Sequence, residues 1–573
     1  MSFTIEYERW LANTDAQTKK ELRTIAARSD EVEDRFGSML SFGTAGLRGI
    51  MGAGLNRMNI YTVRQATQGL ANVIVSAGDE AKQRGVVIAY DCRNHSREFA
   101  QEAARVLAAA DIRSYIFDEL RPTPELSFAI RQLHGMAGIN ITASHNPKEY
   151  NGYKVYWEDG AQLDPERAAK VQREIRENDI FNDVHVADYA AAQAEGLIRS
   201  IGEEIDEKFM QNVLEQATCP DVVKAEADDF SIIYTPFHGA GYRLVPEVLH
   251  RAGFKRICTV PEQMKPDGNF PTVKSPNPEE KEGFSLAIAM AKKEDIDLII
   301  GTDPDADRVG IIVRDNAGEY ISVTGNQVGE LLTDYLISCK KEKGILPDNA
   351  AVVSTIVSTA MTDVICERNN VKLFRVLTGF KFIGEKIKEF EASGKYTYLF
   401  GFEESYGYLA GTYARDKDSV VASMLIAEMA AWYKHKGMTL FEALTALYEK
   451  YGYYAERTVS IKFDGFDAKE KMDEIMSHLR NRMLKQINGV DVVAKRDYLR
   501  GTRQKTDGSD PEPTHLPESD VLYYEMVDGN SVVVRPSGTE PKIKLYLLMN
   551  GTDKQQVTQL LEQYEKEMRD LIK

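Results

Sequence analysis

Residues 297–307 read DLIIGTDPDAD, a short run of branched apolar residues that gives way to small and acidic ones. The same grammar occurs at VVIAYDCRN (86–94), GINITASHN (138–146), FSIIYTPFHGAG (230–241), AVVSTIVST (351–359) and YLFGFEES (398–405). Short apolar runs bounded in this way predict buried strands ending in loops. Between them lie stretches with helical spacing, such as REFAQEAARVLAAA (97–110) and GFSLAIAMAKK (283–293). Alternating strand and helix predicts an α/β fold, whose chemistry sits in the loops at the C-terminal ends of the strands.

Working outward, the C-terminal part changes character. RTVSIKF (457–463), VLYYEMV (521–527), SVVVRPS (531–537) and KIKLYLLMN (542–550) read as strands, followed by a helix over 554–573 with apolar positions 557, 560, 561, 564, 568 and 571. This predicts a separate α+β domain, with TRQKTDGSDPEPTHLPES (502–519) as a long surface loop inside it. The chain of 573 residues exceeds what one core serves, and about three to four domains follow from length. A multidomain cleft is expected.

The N-terminus has no cationic start followed by an apolar core, and the longest apolar stretch, Val420 to Tyr433, is short and carries Glu428. The five cysteines form no CxxC pair, so no thiolate zinc site is indicated and a cytoplasmic setting fits. A net charge of -17 argues against nucleic acid or anionic membrane as partner, so an anionic ligand must meet a local basic pocket.

In TASHNP (142–147), Ser144 stands among small residues after a strand, where a nucleophile projects; an Asx or Ser turn closed by proline would use the same residues. His145 and Lys154 lie nearby in sequence. Asp303, Asp305 and Asp307 alternate with Pro304 and Ala306, so in an extended loop all three carboxylates face one side and call for a cation. Oxygen-only ligation favours Mg²⁺ or Mn²⁺ over zinc. An EF-hand would need Gly at Arg308 and Glu at Arg314. The rival is aspartyl-phosphate chemistry of the haloacid-dehalogenase type, with Asp303 as nucleophile. It expects Thr or Val where Asp307 stands, and leaves Ser144 without a role.

Glu403, Glu404 and Ser405 in GFEESYG (401–407) suit sugar hydroxyls, or a helix start with acids near its dipole. RPSGTEPK (535–542) sets Arg535, two hydroxyls and a glycine in one turn that suits a phosphate. FGTAGLRGIMG (42–52) holds Arg48 in a permissive backbone. GFKFIGEK (379–386) has Glu385 where a Walker lysine belongs, and HGAGYRL (238–244) lacks the third glycine of a dinucleotide loop and counts only as a turn.

Taken in order, FGTAGLRG, TASHNP, DPDADR, GFEES and RPSGTEPK resemble the motifs of the α-D-phosphohexomutase family, the phosphoglucomutases and phosphomannomutases, across residues 42–542. The resemblance implies an α/β protein of four domains around a central cleft: three similar α/β domains with mixed sheets and a C-terminal α+β domain. The boundaries expected are 1–205 with the phosphoserine loop, 206–322 with the metal loop, 323–453 with the sugar loop and 454–573 with the phosphate loop. It implies that Ser144 is phosphorylated and binds Mg²⁺ together with Asp303, Asp305 and Asp307. Glu403 and Ser405 would grip sugar hydroxyls, and Arg535, Ser537, Gly538 and Thr539 the phosphate not being transferred. Arg48, His145, Lys154, Arg308 and Lys381 match cationic positions near the transferring group, one of which relays the hydroxyl proton.

FGTAGLRGIMGAGLNRMN (42–59) and TGFKFIGEKI (378–387) resemble bacterial phosphoglucomutases related to the pentose-active branch, and Ser405, where pentose-active relatives carry Ala, tilts the choice to glucose. The implied activity interconverts glucose 1-phosphate and glucose 6-phosphate through a bisphosphate, with glucose 1,6-bisphosphate as activator, in a monomer or homodimer. Phosphomannomutase, phosphopentomutase and a non-catalytic sugar-phosphate sensor are the alternatives.

Overall fold

Strands that are apolar along their whole length must be covered on both faces, and they organise the N-terminal half of the protein. The structure is a computed structural model that describes residues 3–43, 46–463, 467–537 and 542–572. The chain folds as two compact units, the first formed by Met1–Val323 with Gly384–Glu389 and Tyr406–Gly437, the second by Thr324–Ile383, Phe390–Ser405 and Met438–Lys573.

The first unit holds two sheets. Strands β1 (Leu47–Ile50), β2 (Val86–Tyr90), β3 (Ser114–Phe117), β4 (Ala137–Ile141), β5 (Tyr150–Trp157) and β6 (Ile198–Ile201) lie in the order β1-β5-β4-β2-β3-β6. The β4-β2-β3-β6 part is parallel, and β5 returns antiparallel on β4, setting Lys154 opposite Asn140. Strand β1 then pairs antiparallel with β5, setting Arg48 opposite Gly152. Every residue of β2 and β4 is buried, and Ile88, Ile139 and Ile141 join Leu70, Ile74 and Leu107 of the flanking helices Ile60–Ser76 and Ser96–Ala109 in one core. Three short helices within Phe3–Phe36 build a separate apolar cluster around Trp10.

The second sheet, of β7 (Ser231–Thr235), β8 (Arg256–Thr259), β9 (Leu298–Thr302), β10 (Val309–Arg314) and β11 (Tyr320–Val323), runs β11-β10-β9-β7-β8. Strands β8, β7 and β9 are parallel, and β10 folds straight back on β9, pairing Val309 with Thr302. The acidic segment 303–308 is therefore the tip of an antiparallel pair.

In the second unit β12 (Ala350–Thr355) lies between β13 (Lys372–Val376) and β14 (Thr397–Glu403), all parallel. A short strand of the first unit, β15 (Gly407–Leu409), is next in the chain, and its Gly407 bridges Arg308. The C-terminal sheet is antiparallel. It comprises β16 (Tyr453–Lys462), β17 (Gln486–Ile487), β18 (Val490–Asp497), β19 (Thr502–Lys505), β20 (Glu512–Pro513), β21 (Leu522–Met526), β22 (Ser531–Pro536) and β23 (Lys542–Gly551). The order is β16-β23-β22-β21-β18-β19-β20, with β17 on β18. Helix Lys554–Ile572 covers it through Val557, Leu561, Tyr564, Met568 and Ile572, close to the spacing expected.

The expected loop 502–519 differs, because its first part extends the sheet as β19 and β20. Charge pairing explains this: Arg503 grips Glu525 through Nε and Nη2 at 2.8 and 2.7 Å and Glu512 through Nη1 at 2.8 Å, while Lys505 meets Glu512 at 2.6 Å. Charged side chains at a sheet edge also discourage pairing with another chain.

Helix Ser419–His435, which contains the longest apolar stretch, is buried on all sides, and Glu428 within it accepts a hydrogen bond from Thr218 N at 2.7 Å. Among the described residues, no helix is long and apolar enough to cross a membrane.

Candidate active site

Ser144 sits at the end of the buried strand β4 with φ +52°, in the left-handed region. For a residue with a β-carbon this costs about 1–3 kcal/mol and persists only where the surroundings impose it. Its N–H donates to Thr142 Oγ1 at 2.8 Å, and its hydroxyl donates to Asp303 Oδ2 at 2.8 Å and lies 3.2 Å from His145 Nδ1. The structure thus joins the serine motif to the acidic motif, which are 159 residues apart.

The acidic segment is not extended, as alternation alone suggested. It curls: Asp307 N and Arg308 N donate to Asp303 Oδ1 at 3.1 and 3.0 Å, Ala306 N donates to Asp303 O at 3.0 Å, and Ala306 takes φ +51°. The tight return from β9 to β10 forces this, and it still gathers the carboxylates. One ligand oxygen from each of Asp303, Asp305 and Asp307 lies within 4.8 Å of the others, all three residues buried.

Asp305 Oδ1 and Asp307 Oδ1 are buried without a hydrogen-bond partner. Two orphaned carboxylate oxygens beside a third carboxylate and a serine oxygen fit a hard divalent cation. Burial, and then the charges of Asp305 and Asp307, push the Asp303 carboxyl well above the usual range. Burial works the same way on Asp305, but the ammonium of Lys154 outweighs it and holds that carboxyl low.

Lys154 Nζ lies 2.8 Å from Asp305 Oδ2 and 3.8 Å from Asp307 Oδ2. Arg48 Nη1 donates to Asn146 Oδ1 at 2.9 Å, and Arg308 Nη1 meets Glu279 at 2.9 Å. Burial, with Arg308 and Arg48 close by, keeps the His145 imidazole well below its usual pKa, so it is neutral near pH 7. Ser144, His145, Lys154, Arg48, Arg308 and the three aspartates therefore form one cluster.

Glu403, Ser405, Arg535, Ser537 and Lys381 belong to the second unit. Glu403 accepts from Gly379 N at 2.8 Å, just ahead of the helix Phe380–Ser393 that carries Lys381. Thr355 Oγ1 donates to Glu404 at 3.2 Å. Burial raises the Glu404 carboxyl, opposed by the charges of Lys544 and Arg535, so the segments that carry Glu404 and Arg535 are electrostatic neighbours. Arg535 stands opposite Lys544 across β22 and β23, and Ser537 N donates to Lys542 O at 2.8 Å. Gly538 and Thr539 lie outside the described residues.

Sequence reading missed several partners. Lys417 Nζ lies 3.1 Å from Asp307 and 2.9 Å from Asp416, whose other oxygen accepts from Tyr156 and Gln162 at 2.8 and 3.0 Å. Thr123 donates to Asp305 twice, from Oγ1 to Oδ2 at 2.9 Å and from N to O at 2.8 Å. Three charges in sequence at Arg415, Asp416 and Lys417 were the available signal, since such a group is buried only when paired. Thr123 offered none.

Known proteins resemble the chain along most of its length. Residues 39–180, 207–318 and 324–451 match phosphoglucomutase/phosphomannomutase alpha/beta/alpha domains I, II and III, and residues 480–567 match the C-terminal domain. A Staphylococcus epidermidis phosphoglucomutase is 37% identical over 524 residues, 91% of this chain and 93% of its own. A putative phosphomannomutase from Thermus thermophilus has the same fold, with TM-score 0.67, 20% identity and coverage of 93% of this chain and 99% of its own. So does an Aspergillus fumigatus N-acetylphosphoglucosamine mutase in complex with GlcNAc-6P and magnesium, with TM-score 0.51, 14% identity and coverage of 98% and 100%. With all four domains matched in order, the chain belongs to the phosphoglucomutase/phosphomannomutase family.

Proposed function

We propose that the protein is a phosphoglucomutase that interconverts glucose 1-phosphate and glucose 6-phosphate through a phosphoserine at Ser144 and a glucose 1,6-bisphosphate intermediate. The observation that carries this is the 2.8 Å contact between Ser144 Oγ and Asp303 Oδ2 inside a buried, cation-flanked carboxylate cluster. The name carried by the staphylococcal relatives supports glucose as the sugar.

Phosphorylated Ser144 passes its phosphoryl group to the free hydroxyl of a hexose phosphate; the bisphosphate turns end for end and returns its other phosphoryl group to Ser144. The attacking sugar hydroxyl gives up its proton and the serine oxygen takes one up as its phosphoryl group leaves; His145, whose Nδ1 lies 3.2 Å from Ser144 Oγ, relays it. Arg48, Lys154 and Arg308 provide positive charge for the transferring group. Asp303, Asp305, Asp307 and the serine phosphate would hold Mg²⁺, the ion named with the Aspergillus mutase, which supplies further charge stabilisation to the phosphoryl oxygens.

Glu403 and Ser405 hold sugar hydroxyls in this reading, Lys381 adds a cation, and Arg535, Ser537, Gly538 and Thr539 hold the other phosphate. The four segments 1–205, 206–322, 323–453 and 454–573 divide the roles of phosphoserine, metal, sugar and phosphate binding. Glucose 1,6-bisphosphate serves as activator by phosphorylating Ser144. A phosphosugar is the partner, bound by a cytoplasmic monomer or homodimer, without nucleic acid or membrane.

The test is a mutase assay on glucose, mannose and ribose 1-phosphates, with and without glucose 1,6-bisphosphate. Glucose 1-phosphate is expected to give the highest kcat/KM, with stimulation by the bisphosphate. Higher kcat/KM on mannose or ribose 1-phosphate reassigns the sugar, and no turnover of any of them overturns the reading.

A further inference from the structure

The unusual backbone of Ser144 has a definite cause. After the serine the loop turns its carbonyls inward, and four of them meet one guanidinium. Arg93 Nη2 donates to Ser144 O at 2.5 Å and to Asn146 O, while Nη1 donates to Pro147 O at 2.8 Å and to Tyr150 O at 3.0 Å.

The guanidinium lies over the Phe270 ring, 5.1 Å from its centre, and Arg93 is only 3% exposed. Its Nε is 3.3 Å from Asp91 Oδ2. Asp91 in turn accepts from Thr142 Oγ1 at 2.6 Å, Ser96 Oγ at 2.8 Å and Arg93 N at 2.9 Å. Since Thr142 Oγ1 also accepts from Ser144 N, the turn that ends β2 grips the serine on both sides: its N–H through Thr142 and its C=O through Arg93.

We propose that Arg93, braced by Asp91, is a positioning residue that locks Ser144 in the left-handed conformation from which its Oγ faces Asp303. The inference rests on the reading of Ser144 as the phosphoryl carrier. Arg93 uses its planar fork, with two hydrogens on each terminal nitrogen, to reach four carbonyls that diverge along the loop. An ammonium has three hydrogens on a single atom and cannot reproduce that span. Because the terminal nitrogens of the fork hydrogen-bond to backbone carbonyls of the serine loop, its loss affects where the serine oxygen stands and not how the sugar is held.

The test is Arg93→Lys in the full chain. Expected are a fall in kcat of at least about tenfold with KM for glucose 1-phosphate changed less than about twofold. The single-turnover rate of Ser144 phosphorylation by glucose 1,6-bisphosphate should fall in parallel. Amide hydrogen exchange over residues 143–150 should rise at least about tenfold, with β2 and β4 unchanged. A kcat within about twofold of the parent, a loss that appears in KM, or unchanged exchange in the loop overturns the proposal.

If Arg93→Lys does not fold, Asp91→Asn is measured in the same way with the same expected direction, and an unaltered rate and unaltered loop exchange in that variant overturn it equally. Should the parent protein lack mutase activity, the functional reading fails, while the exchange measurement still decides whether Arg93 holds the loop.

Discussion

The Ser144 hydroxyl has two polar neighbours, and no other hydroxyl of TASHNP replaces it: Thr142 Oγ1 is already engaged by Asp91 and by Ser144 N. Ser144→Ala is therefore expected to lower turnover by at least about a thousandfold and to abolish the phosphorylated species. A coupled assay with intact-mass and peptide mapping checks this. Near-normal activity refutes the serine, and a phosphoryl group trapped on Asp303 would establish the aspartyl-phosphate rival.

Lys154 and Thr123 hold one oxygen of Asp305 and leave the other bare. Asp305→Asn removes a ligand charge that nothing nearby replaces. Titration of Mg²⁺ by calorimetry should show affinity reduced by at least about tenfold. Unchanged affinity would remove Asp305 from the metal set.

At the scale of elements, the site depends on loops that carry no site residue. The turn after β7, read from sequence as a turn only, buttresses the acidic loop: Ala240 N donates to Pro304 O at 2.8 Å. A β-carbon at Gly239 would stand 2.5 Å from Pro304 Cα, 2.8 Å from Pro304 O and 2.9 Å from Asp303 O, so one loop must shift. Gly239→Ala is expected to cost about 1–3 kcal/mol by overpacking. It should also weaken divalent-cation binding, because the shift falls on Asp303. Urea unfolding and metal titration measure both effects, and a variant as stable and as metal-competent as the parent would show that the two loops move independently.

At the scale of the whole molecule, stability should depend on pH through a carboxylate pair far from the serine in sequence. Glu330, on helix Gly325–Glu342, accepts from Thr359 Oγ1 at 2.5 Å, and Glu456 on β16 lies beside Thr359 and Asn326. Burial, with Glu456 adding its charge, raises Glu330 well above the usual range, and burial raises Glu456 to about 7. Both groups take up protons more readily when folded. The contribution of Glu456 is thus fully present below the unfolded value of 4.5 and is lost as pH rises through about 7, and that of Glu330 changes in the same direction. Glu456→Gln keeps the shape without the charge. Its melting temperature should exceed that of the parent at about pH 8, and the gain should vanish near pH 5. Calorimetry across that range checks it, and a difference independent of pH refutes it.

The sequence by itself determined the strand–helix alternation, the C-terminal strands with the helix that follows them, and the two motifs that meet at Ser144 and Asp303. These are properties of local pattern: periodicity fixes which faces are buried, and small or acidic residues after an apolar run mark the loop where chemistry can sit. Tertiary structure alone decided the curl of the acidic loop, because the return of β9 into β10 leaves it no room to extend. It also brought in Lys417, Asp416, Thr123 and Arg93, which reach their partners from other loops of the first unit. A lone Arg or Thr in a loop has no periodicity to read. What it touches is set by which strand ends the sheet places side by side, and the order β4-β2-β3 sets the ends of β2 and β4, and so Arg93 and Ser144, next to each other.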